Sequence, residues 1–412
     1  MSAPGIKQWI RKRTTLPRSV LVLSVISFTV AVGFGVMLPV LPVFAKSFDV
    51  GTFGASAVVS AFALMRLVFA PAVGPLINKF GERPVLSIGI LIVAVSTAVS
   101  ALSQSYLQFL VLRGLGGVGS AMFTVSSMTL VLNTVAPQIR GRAVSLYQGG
   151  FLLGGMAGPA IGGLLSGISL TAPFFFYAGG LVVAGAIGLV TLRSTGKDVA
   201  SRSADVRPMP QVLRDSRFQA ALIAGLGQGW TSFGVRSALI PLLMVEVLHE
   251  DPKWTGITFA VAAVVQTVLL VPAGRFVDTV GRRPAMLWGG LVCGAAALAI
   301  PFSPSVWVLM IIVAVYGAGS AFLGTAPAAA VGDAAGGRGG TPVAVFSMIT
   351  DAGAIVGPLV AGLLAQYQSY PLAFAVGAMI FFLGSAMSLR MPRYVPDGPA
   401  PATEGGDRRR SV

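Results

Sequence analysis

Long apolar stretches separated by short polar segments recur along the whole chain. A helix needs about 20 mostly apolar residues to cross the hydrocarbon layer of a membrane. One such stretch could be a buried soluble helix, but a dozen in one chain predict a multi-pass membrane protein. The predicted spans are 18–45, 53–76, 85–102, 106–131, 143–168, 174–192, 218–245, 254–276, 285–302, 306–330, 343–365 and 372–389.

The first apolar run, residues 20–45, follows a basic segment and ends at Val43-Phe44-Ala45, which resembles a signal-peptide cleavage site. The apolar region of a signal peptide has only about 7–15 residues. We therefore interpret this longer run as a retained first span. Pro39 and Pro42 predict a bend within it.

Polar segments divide the chain into two halves. The longest one between spans lies at 194–217 and leaves six spans on either side. The tail is rich in proline, glycine and arginine, which predicts disorder. The predicted parts are an N-terminal tail (1–17), a first half (18–193), a linker (194–217), a second half (218–391) and a C-terminal tail (392–412).

The two halves repeat short sequences in the same order, about 200 residues apart. The matching pairs are 34–36 with 233–235, 74–84 with 274–284, 119–121 with 319–321, and 158–159 with 357–358. Ordered matches in equivalent spans indicate duplication of a six-helix unit. They predict an all-α membrane fold of twelve helices in two pseudo-symmetric bundles, with a central site between them.

Charge is scarce and unevenly placed. Only 10% of residues are charged, against about 25% in soluble domains. If the N-terminus is cytoplasmic, nearly all of the 29 lysines and arginines fall on cytoplasmic segments, and the outer loops hold only Lys46 and Lys253. The positive-inside rule therefore predicts that both termini are cytoplasmic. It also explains the net charge of +15 without a nucleic-acid partner.

The loop after the second span of each half carries a recognisable pattern. GPLINKFGERP (74–84) and GRFVDTVGRRP (274–284) resemble G-x-L-x-D-[RK]-x-G-[RK]-[RK] of the major facilitator superfamily, and the resemblance covers residues 18–391. In the first copy, Asn78 replaces the acid and Glu82 replaces a basic residue. The resemblance implies a conformational latch formed by Gly74, Asn78, Lys79, Gly81, Arg83, Gly274, Asp278, Gly281, Arg282 and Arg283.

The fifth predicted span contains GGMAGPAIGG (154–163), which resembles the family's antiporter motif G-x-x-x-G-P-x-x-G-G. Three of its glycines are four residues apart and share one helical face, which permits close helix packing. The resemblance implies export in exchange for protons, whereas plain packing of small residues is the alternative. The motif residues are Gly154, Gly158, Pro159, Gly162 and Gly163.

Four charged residues lie within predicted spans and away from their ends. Arg113 belongs to LVLRGLGGVGSA (110–121), and the resemblance of this segment to the family's fourth-span motif implies a role in proton transfer; structural bonding between helices is the alternative. Asp351 is the only acid clearly at mid-depth and is our candidate proton site. The alternative is that it is a fixed partner for an arginine or for a helix N-terminus. Arg66 and Arg236 are candidates for the substrate cavity, although Arg236 could extend towards the outer surface.

The expected substrate is small and either hydrophobic or amphipathic. Aromatic residues could line its cavity, and packing against lipid or other helices is the alternative: Phe34, Tyr147, Phe151, Trp230 and Phe233. The first span contains no acid, unlike many proton-coupled relatives. Three arginines against one aspartate could instead attract an anionic solute, so import or facilitated passage of such a solute remains the alternative.

Other functional classes lack support in the sequence. The chain contains no HExxH, P-loop or GxSxG motif, so we expect no enzyme and no cofactor. The lone Cys293 excludes an intrachain disulfide and a cysteine-based metal cluster. His249 lies in a predicted outer loop and is interpreted as a solvated residue. We expect a monomeric, multi-pass protein of a bacterial cytoplasmic membrane that contacts lipids, protons and a small-molecule substrate.

Overall fold

A computed structural model describes residues 17–135, 140–192, 209–335 and 340–392. The predicted tails, apart from Pro17 and residue 392, lie outside these ranges, as does most of the predicted linker. Twelve helices in the described ranges are long and apolar enough to cross a membrane, which confirms the predicted number of spans. The chain is thus a helical, multi-pass membrane protein.

We number these helices as spans 1 to 12. In the first half they are Arg18–Met37, Thr52–Phe80, Glu82–Ser100, Tyr106–Thr134, Arg140–Ser166 and Ala172–Thr191. In the second half they are Ser216–Val247, Lys253–Thr279, Arg282–Ala299, Val306–Ala334, Gly340–Tyr367 and Tyr370–Ser388.

Two spans are irregular. Span 1 stops at Met37 and resumes as the short helix Leu41–Lys46, so the chain breaks where Pro39 and Pro42 predict a bend. Span 7 contains two π-helical stretches, Gln228–Val235 and Leu243–Val247. Such stretches are rare and often lie at functional sites.

The repeated loops turn through the predicted glycines. Gly81 has a φ of 87° and Gly281 a φ of 116°, conformations that residues with a Cβ rarely adopt. Ser105 and Ser305 each cap the helix that follows, spans 4 and 10, by accepting a backbone N–H bond. The same local signals therefore shape equivalent spans in both halves.

The two halves have the same internal packing. In the first half, span 1 packs against spans 5 and 6, span 4 against spans 2 and 3, and span 3 against span 6. In the second half, the equivalent spans 7 to 12 make the corresponding contacts. The most extensive contacts between the halves join span 2 to span 11 and span 5 to span 8.

Among the described residues, the polar contacts between the halves lie towards one end of the molecule. We define the closed end as the end at which spans 1 and 7 finish, and the open end as the end at which they begin. Polar contacts between described residues join the halves at mid-depth or nearer the closed end. They include Lys46–Glu246, Phe53–Gln366, Ser60–Ile355 and Arg66–Asp351. Towards the open end, Val68 of span 2 and Met348 of span 11 are 61% and 56% exposed.

Candidate functional site

A cavity of about 250 Å³ lies between the halves, lined by spans 1, 5, 7 and 8. Phe34, Phe151 and Phe259 form much of its apolar wall, and Arg236 and Gln266 supply polar groups. A few polar groups on a mostly apolar surface are typical of sites for small molecules.

The cavity includes three of the residues that the sequence nominated and omits others. Phe34, Phe151 and Arg236 line it. Tyr147, Trp230 and Arg66 do not line it. Tyr147 is only 1% exposed, and its hydroxyl lies 2.6 Å from Ser127 Oγ inside the first half.

Trp230 is turned away from the cavity by the packing of its helix. Its backbone lies against Gly357 of span 11, and its indole ring lies near Gly377 of span 12. The indole N–H is buried and has no hydrogen-bond partner in the described residues. The side chain of Phe233 lies outside the described residues.

Arg236 is directed into the protein and not towards the outer surface. Its guanidinium lies 5.5 Å from the ring centre of Phe259 and 5.3 Å from that of Tyr316. Its buried Nε has no hydrogen-bond partner in the described residues. A guanidinium carries five donors, and leaving a buried donor unsatisfied is unfavourable. The cavity wall therefore offers a positive group suited to an anionic ligand atom.

A polar network next to Arg236 was not expected from the sequence. Ser232 Oγ lies 2.6 Å from the hydroxyl of Tyr316 and also bonds Gln228. Gln228 Nε2 in turn donates to Ser320 Oγ at 3.4 Å. Gln228 and Ser232 belong to the π-helical stretch of span 7, and local sequence gives no clear signal for such a stretch.

Asp351 and Arg66 form an ion pair between the halves. Arg66 Nη2 lies 2.6 Å from Asp351 Oδ1, and the two side chains are 35% and 31% exposed. Among the polar contacts between the halves named above, this one lies nearest the open end. The pair must therefore separate if spans 2 and 11 part at the closed end.

Arg113 is not the ion-pair partner of Asp351. It is 2% exposed within the first half, with its guanidinium 4.8 Å from the ring centre of Phe62. The ring of Phe62 lies 5.8 Å from that of Phe34 in the cavity wall. Aromatic contacts thus connect Arg113 to the cavity, and its role in proton coupling stays a prediction.

The glycine motif of span 5 presents two faces. Gly154, Gly158 and Gly162 lie against the backbone of span 1, where an added Cβ would come within 2.4 Å of main-chain oxygens. Pro159 and Gly163 also reach span 8 of the other half. An added Cβ at Gly256 would lie 2.3 Å from Gly163 Cα and 2.4 Å from Pro159 O.

The second half makes an equivalent contact at the closed end. An added Cβ at Gly362 of span 11 would lie 2.6 Å from Ser56 Oγ of span 2. Gly362 and Ser56 occupy the repeat positions of Gly163 and Gly256. Small residues therefore allow close approach of the halves at two related places.

The latch residues make their described polar contacts within their own halves. Arg83 donates to the backbone oxygen of Leu189, and Arg283 Nη1 to that of Met391 at 3.5 Å. Gly74 and Gly274 have open space beside them, and the side chains of Asn78, Lys79 and Asp278 are exposed. The predicted latch between helices remains a prediction.

Arg282, one of the predicted latch residues, pairs with an acid on another helix of its own half. Arg282 Nε lies 3.0 Å from Asp333 Oδ2 at the end of span 10. At the repeat positions, Asn133 Nδ2 donates to Glu82 Oε1 at 3.0 Å. The offset of about 200 residues could have identified both pairs from the sequence. Glu82, which departs from the family pattern, thus has a defined partner in Asn133.

Comparison with known proteins relates this geometry to a family. The model of the Major Facilitator Superfamily matches residues 23–266 and 221–411. Quinolone resistance protein NorA of Staphylococcus aureus is 25% identical over 365 residues, covering 86% of this chain and 92% of that protein. Multidrug resistance protein 2 of Bacillus subtilis is 24% identical over 374 residues, covering 87% and 92%.

A solved structure shares the fold. It is a bacterial homologue of the human lysosomal transporter Spinster in an inward-facing, unoccupied conformation, with a TM-score of 0.73 and 16% identity. The likeness covers 92% of this chain and 98% of that one.

Proposed function

This chain belongs to the major facilitator superfamily, and on that premise we propose that it exports amphipathic aromatic compounds in exchange for protons. Membership of this family of transporters makes the chain a transporter and not an enzyme. The proposal concerns its substrate, its direction and its coupling ion.

We place the protein in a bacterial cytoplasmic membrane with the open end towards the cytoplasm. The distribution of lysine and arginine supports this orientation, because the loops at the open end are much richer in positive charge. In that orientation the structure is the state that takes up substrate from the cytoplasm or the inner leaflet. The resemblance of residues 154–163 to an antiporter motif supports export.

The cavity supports an aromatic substrate that carries an acidic group. Phe34, Phe151 and Phe259 can stack on or enclose a ring system, and Arg236 can bind a carboxylate. Two similar proteins are named for resistance to quinolones and to multiple drugs. Quinolones are aromatic carboxylic acids, so one of them is a suitable first test substrate.

The ion pair between Arg66 and Asp351 is the observation on which the coupling proposal depends. When the closed end opens to the outside, the pair separates and Asp351 can accept a proton. When the halves close there again, Arg66 can pair only with the ionised carboxylate, so the proton leaves towards the cytoplasm. A ligand drives such a change through its different affinity for the two states. Binding of a proton from outside would therefore return the carrier to the state that is open to the cytoplasm.

Everted membrane vesicles test this coupling. Their cytoplasmic face is outside, and respiration acidifies the lumen, which quenches a pH-sensitive dye. We expect an added quinolone to release protons from vesicles that contain the wild-type chain. Asp351→Asn should abolish this signal while substrate still binds, and Asp351→Glu should retain part of it. Asp251→Asn is the matched control, because Asp251 pairs with Lys253 within one half, at 3.8 Å. Full proton release by Asp351→Asn would remove this residue from the mechanism.

Proton-coupled uptake or facilitated passage of a small anion is the second candidate. It is favoured by three arginines within the spans, Arg66, Arg113 and Arg236, against the single mid-depth acid Asp351. The same vesicles distinguish the two. A symporter that imports solute would give no proton release when the anion is added outside, but would release protons when the anion is loaded in the lumen. A facilitator would give neither signal.

A further inference from the structure

A second cavity lies on the outer surface of the first half, away from the other half. It is a groove of about 520 Å³ between spans 3 and 6, beginning near the open end. Its walls include Ile88, Leu91, Val182 and Leu189, which are 49% to 57% exposed. Side chains so apolar and so exposed at the perimeter of a membrane protein face lipid.

Gly185 lines the groove where the two helices approach closely. An added Cβ there would lie 3.3 Å from Ile90 Cγ2, so a larger side chain would project between the helices into the groove. Gly185, Ile88 and Leu91 together form an apolar channel that runs along the helix axis. Its shape suits a hydrocarbon chain.

The end of the groove nearest the open end is polar. Arg83 and Ser87 both line it and are four residues apart, so they lie on one face of span 3, one turn from each other. Ser87 is 7% exposed, and its hydroxyl has no hydrogen-bond partner in the described residues. Arg83 uses one donor on Leu189 O, which leaves further guanidinium donors. The groove thus combines a positive group, a buried hydroxyl and an apolar channel in that order.

We propose that this groove binds one anionic glycerophospholipid from the leaflet at the open end. The lipid phosphate pairs with Arg83, an ester carbonyl accepts the hydroxyl bond of Ser87, and the acyl chain lies over Gly185. Charge-assisted bonds to phosphate are among the stronger hydrogen bonds in proteins. Anionic headgroups are preferred because the polar end carries a positive charge.

The equivalent surface of the second half has different chemistry. Position 287, the repeat of Ser87, is a leucine. Ser385, at the repeat position of Ala186, donates to Leu287 O at 3.1 Å and draws spans 9 and 12 together. An added Cβ at Gly294 would meet the ring of Phe382 at 2.6 Å, so this ring covers span 9 there. The complementarity to a phospholipid therefore belongs to the first half.

Native mass spectrometry of the purified full chain, titrated with phosphatidylglycerol, tests the proposal. We expect one tightly bound lipid in the wild type and about tenfold weaker binding in Arg83→Gln. Gly185→Leu should weaken binding at least as much by filling the channel, and Ser87→Ala should weaken it less. Gly179→Leu is the control, because Gly179 lies on the same helix with open space around it. It should bind like the wild type.

Melting curves separate loss of the site from loss of the fold, since Arg83→Gln and Ser87→Ala should melt as the control does once lipid is removed. Binding in Arg83→Gln and Gly185→Leu that equals the wild type would overturn the proposal. Equal affinity for zwitterionic phosphatidylethanolamine would overturn the anionic assignment. Displacement of the lipid by a transported quinolone would show that the groove belongs to the substrate.

Discussion

The contact between Gly256 and Gly163 allows a direct test of how the closed end controls the transport state. All three nearest atoms to an added Cβ at Gly256 belong to span 5 of the other half. Two of them are Gly163 Cα at 2.3 Å and Pro159 O at 2.4 Å. These are backbone atoms, which cannot rotate away as the end of a side chain can. Gly256→Ala therefore acts as a wedge between the halves.

The size of the effect follows from this geometry. Carbon atoms in favourable contact lie about 3.5–4.0 Å apart, so spans 5 and 8 must separate by at least about 1 Å. Overpacking of this kind costs about 1–3 kcal/mol. The cost applies only while the closed end is sealed, because Gly256 loses these neighbours when the halves part there. The equilibrium should shift about 5- to 150-fold towards the state in which the closed end is open.

Distances between spin labels at the open end measure this shift. Phe80 and Val280 are repeat-related positions, 55% and 51% exposed, on opposite halves. Cysteines at both sites can be labelled selectively after Cys293, which is buried and the chain's only native cysteine, is replaced by alanine. We expect Gly256→Ala to increase the short-distance population, in which the open end has closed. Gly274→Ala on the same span, with open space beside it, is the control.

Two results would refute the reasoning. An unchanged distance distribution in Gly256→Ala would mean that the halves tolerate the added methyl group without separating. An equal change in Gly274→Ala would mean that the loss of glycine from span 8 matters, and not the contact with span 5.

Three further predictions use other parts of the site. Arg236→Gln should raise the KM for an acidic aromatic substrate by about tenfold or more, with little effect on a cationic dye, in vesicle transport assays. Gly158→Leu should lower the melting temperature, because the added side chain forces span 5 away from span 1. Gly155→Leu places its side chain in the open space of the cavity, so it should leave the melting temperature unchanged and block efflux. Glu246→Gln removes a partly exposed ion pair between the halves, so the ratio of the spin-label populations should change at most about fivefold. The change should be smaller at high salt, and the control Asp251→Asn should cause none.

The spans and their duplication could be predicted because the membrane imposes strong constraints. Each crossing requires a long apolar helix, and each half repeats the same turn and packing residues. Gly81 and Gly281 were identifiable because the repeated loop places glycine where the backbone takes a positive φ. Span ends differ by a few residues, since the helices continue into polar residues such as Lys79 and Asp278.

The partners of charged residues were harder to predict. Position along a span can be estimated from sequence, and it placed Arg66, Arg113 and Asp351 within the membrane. Rotation of each helix about its axis cannot be estimated in the same way, yet it decides which side chains meet. Arg113 turns towards Phe62 inside its own half, whereas Arg66 crosses to Asp351. The same uncertainty placed Tyr147 in the cavity, although it lies inside the first half.

The duplicated and unduplicated features of the interface have different consequences. The close contacts at the closed end occur in two repeat-related copies, so spans 5 and 8 and spans 11 and 2 can separate in a similar way. The ion pair has no such copy, because glutamine and leucine occupy positions 266 and 152, the repeats of Arg66 and Asp351. Packing of small residues can allow two states but cannot make the equilibrium between them depend on protons. The carboxylate of Asp351 can do so, because it lies at the contact of spans 2 and 11, and that contact changes charge when a proton binds. In the mechanism that we propose, the symmetric contacts allow the halves to move, and the asymmetric ion pair is the place where a proton gradient directs this movement.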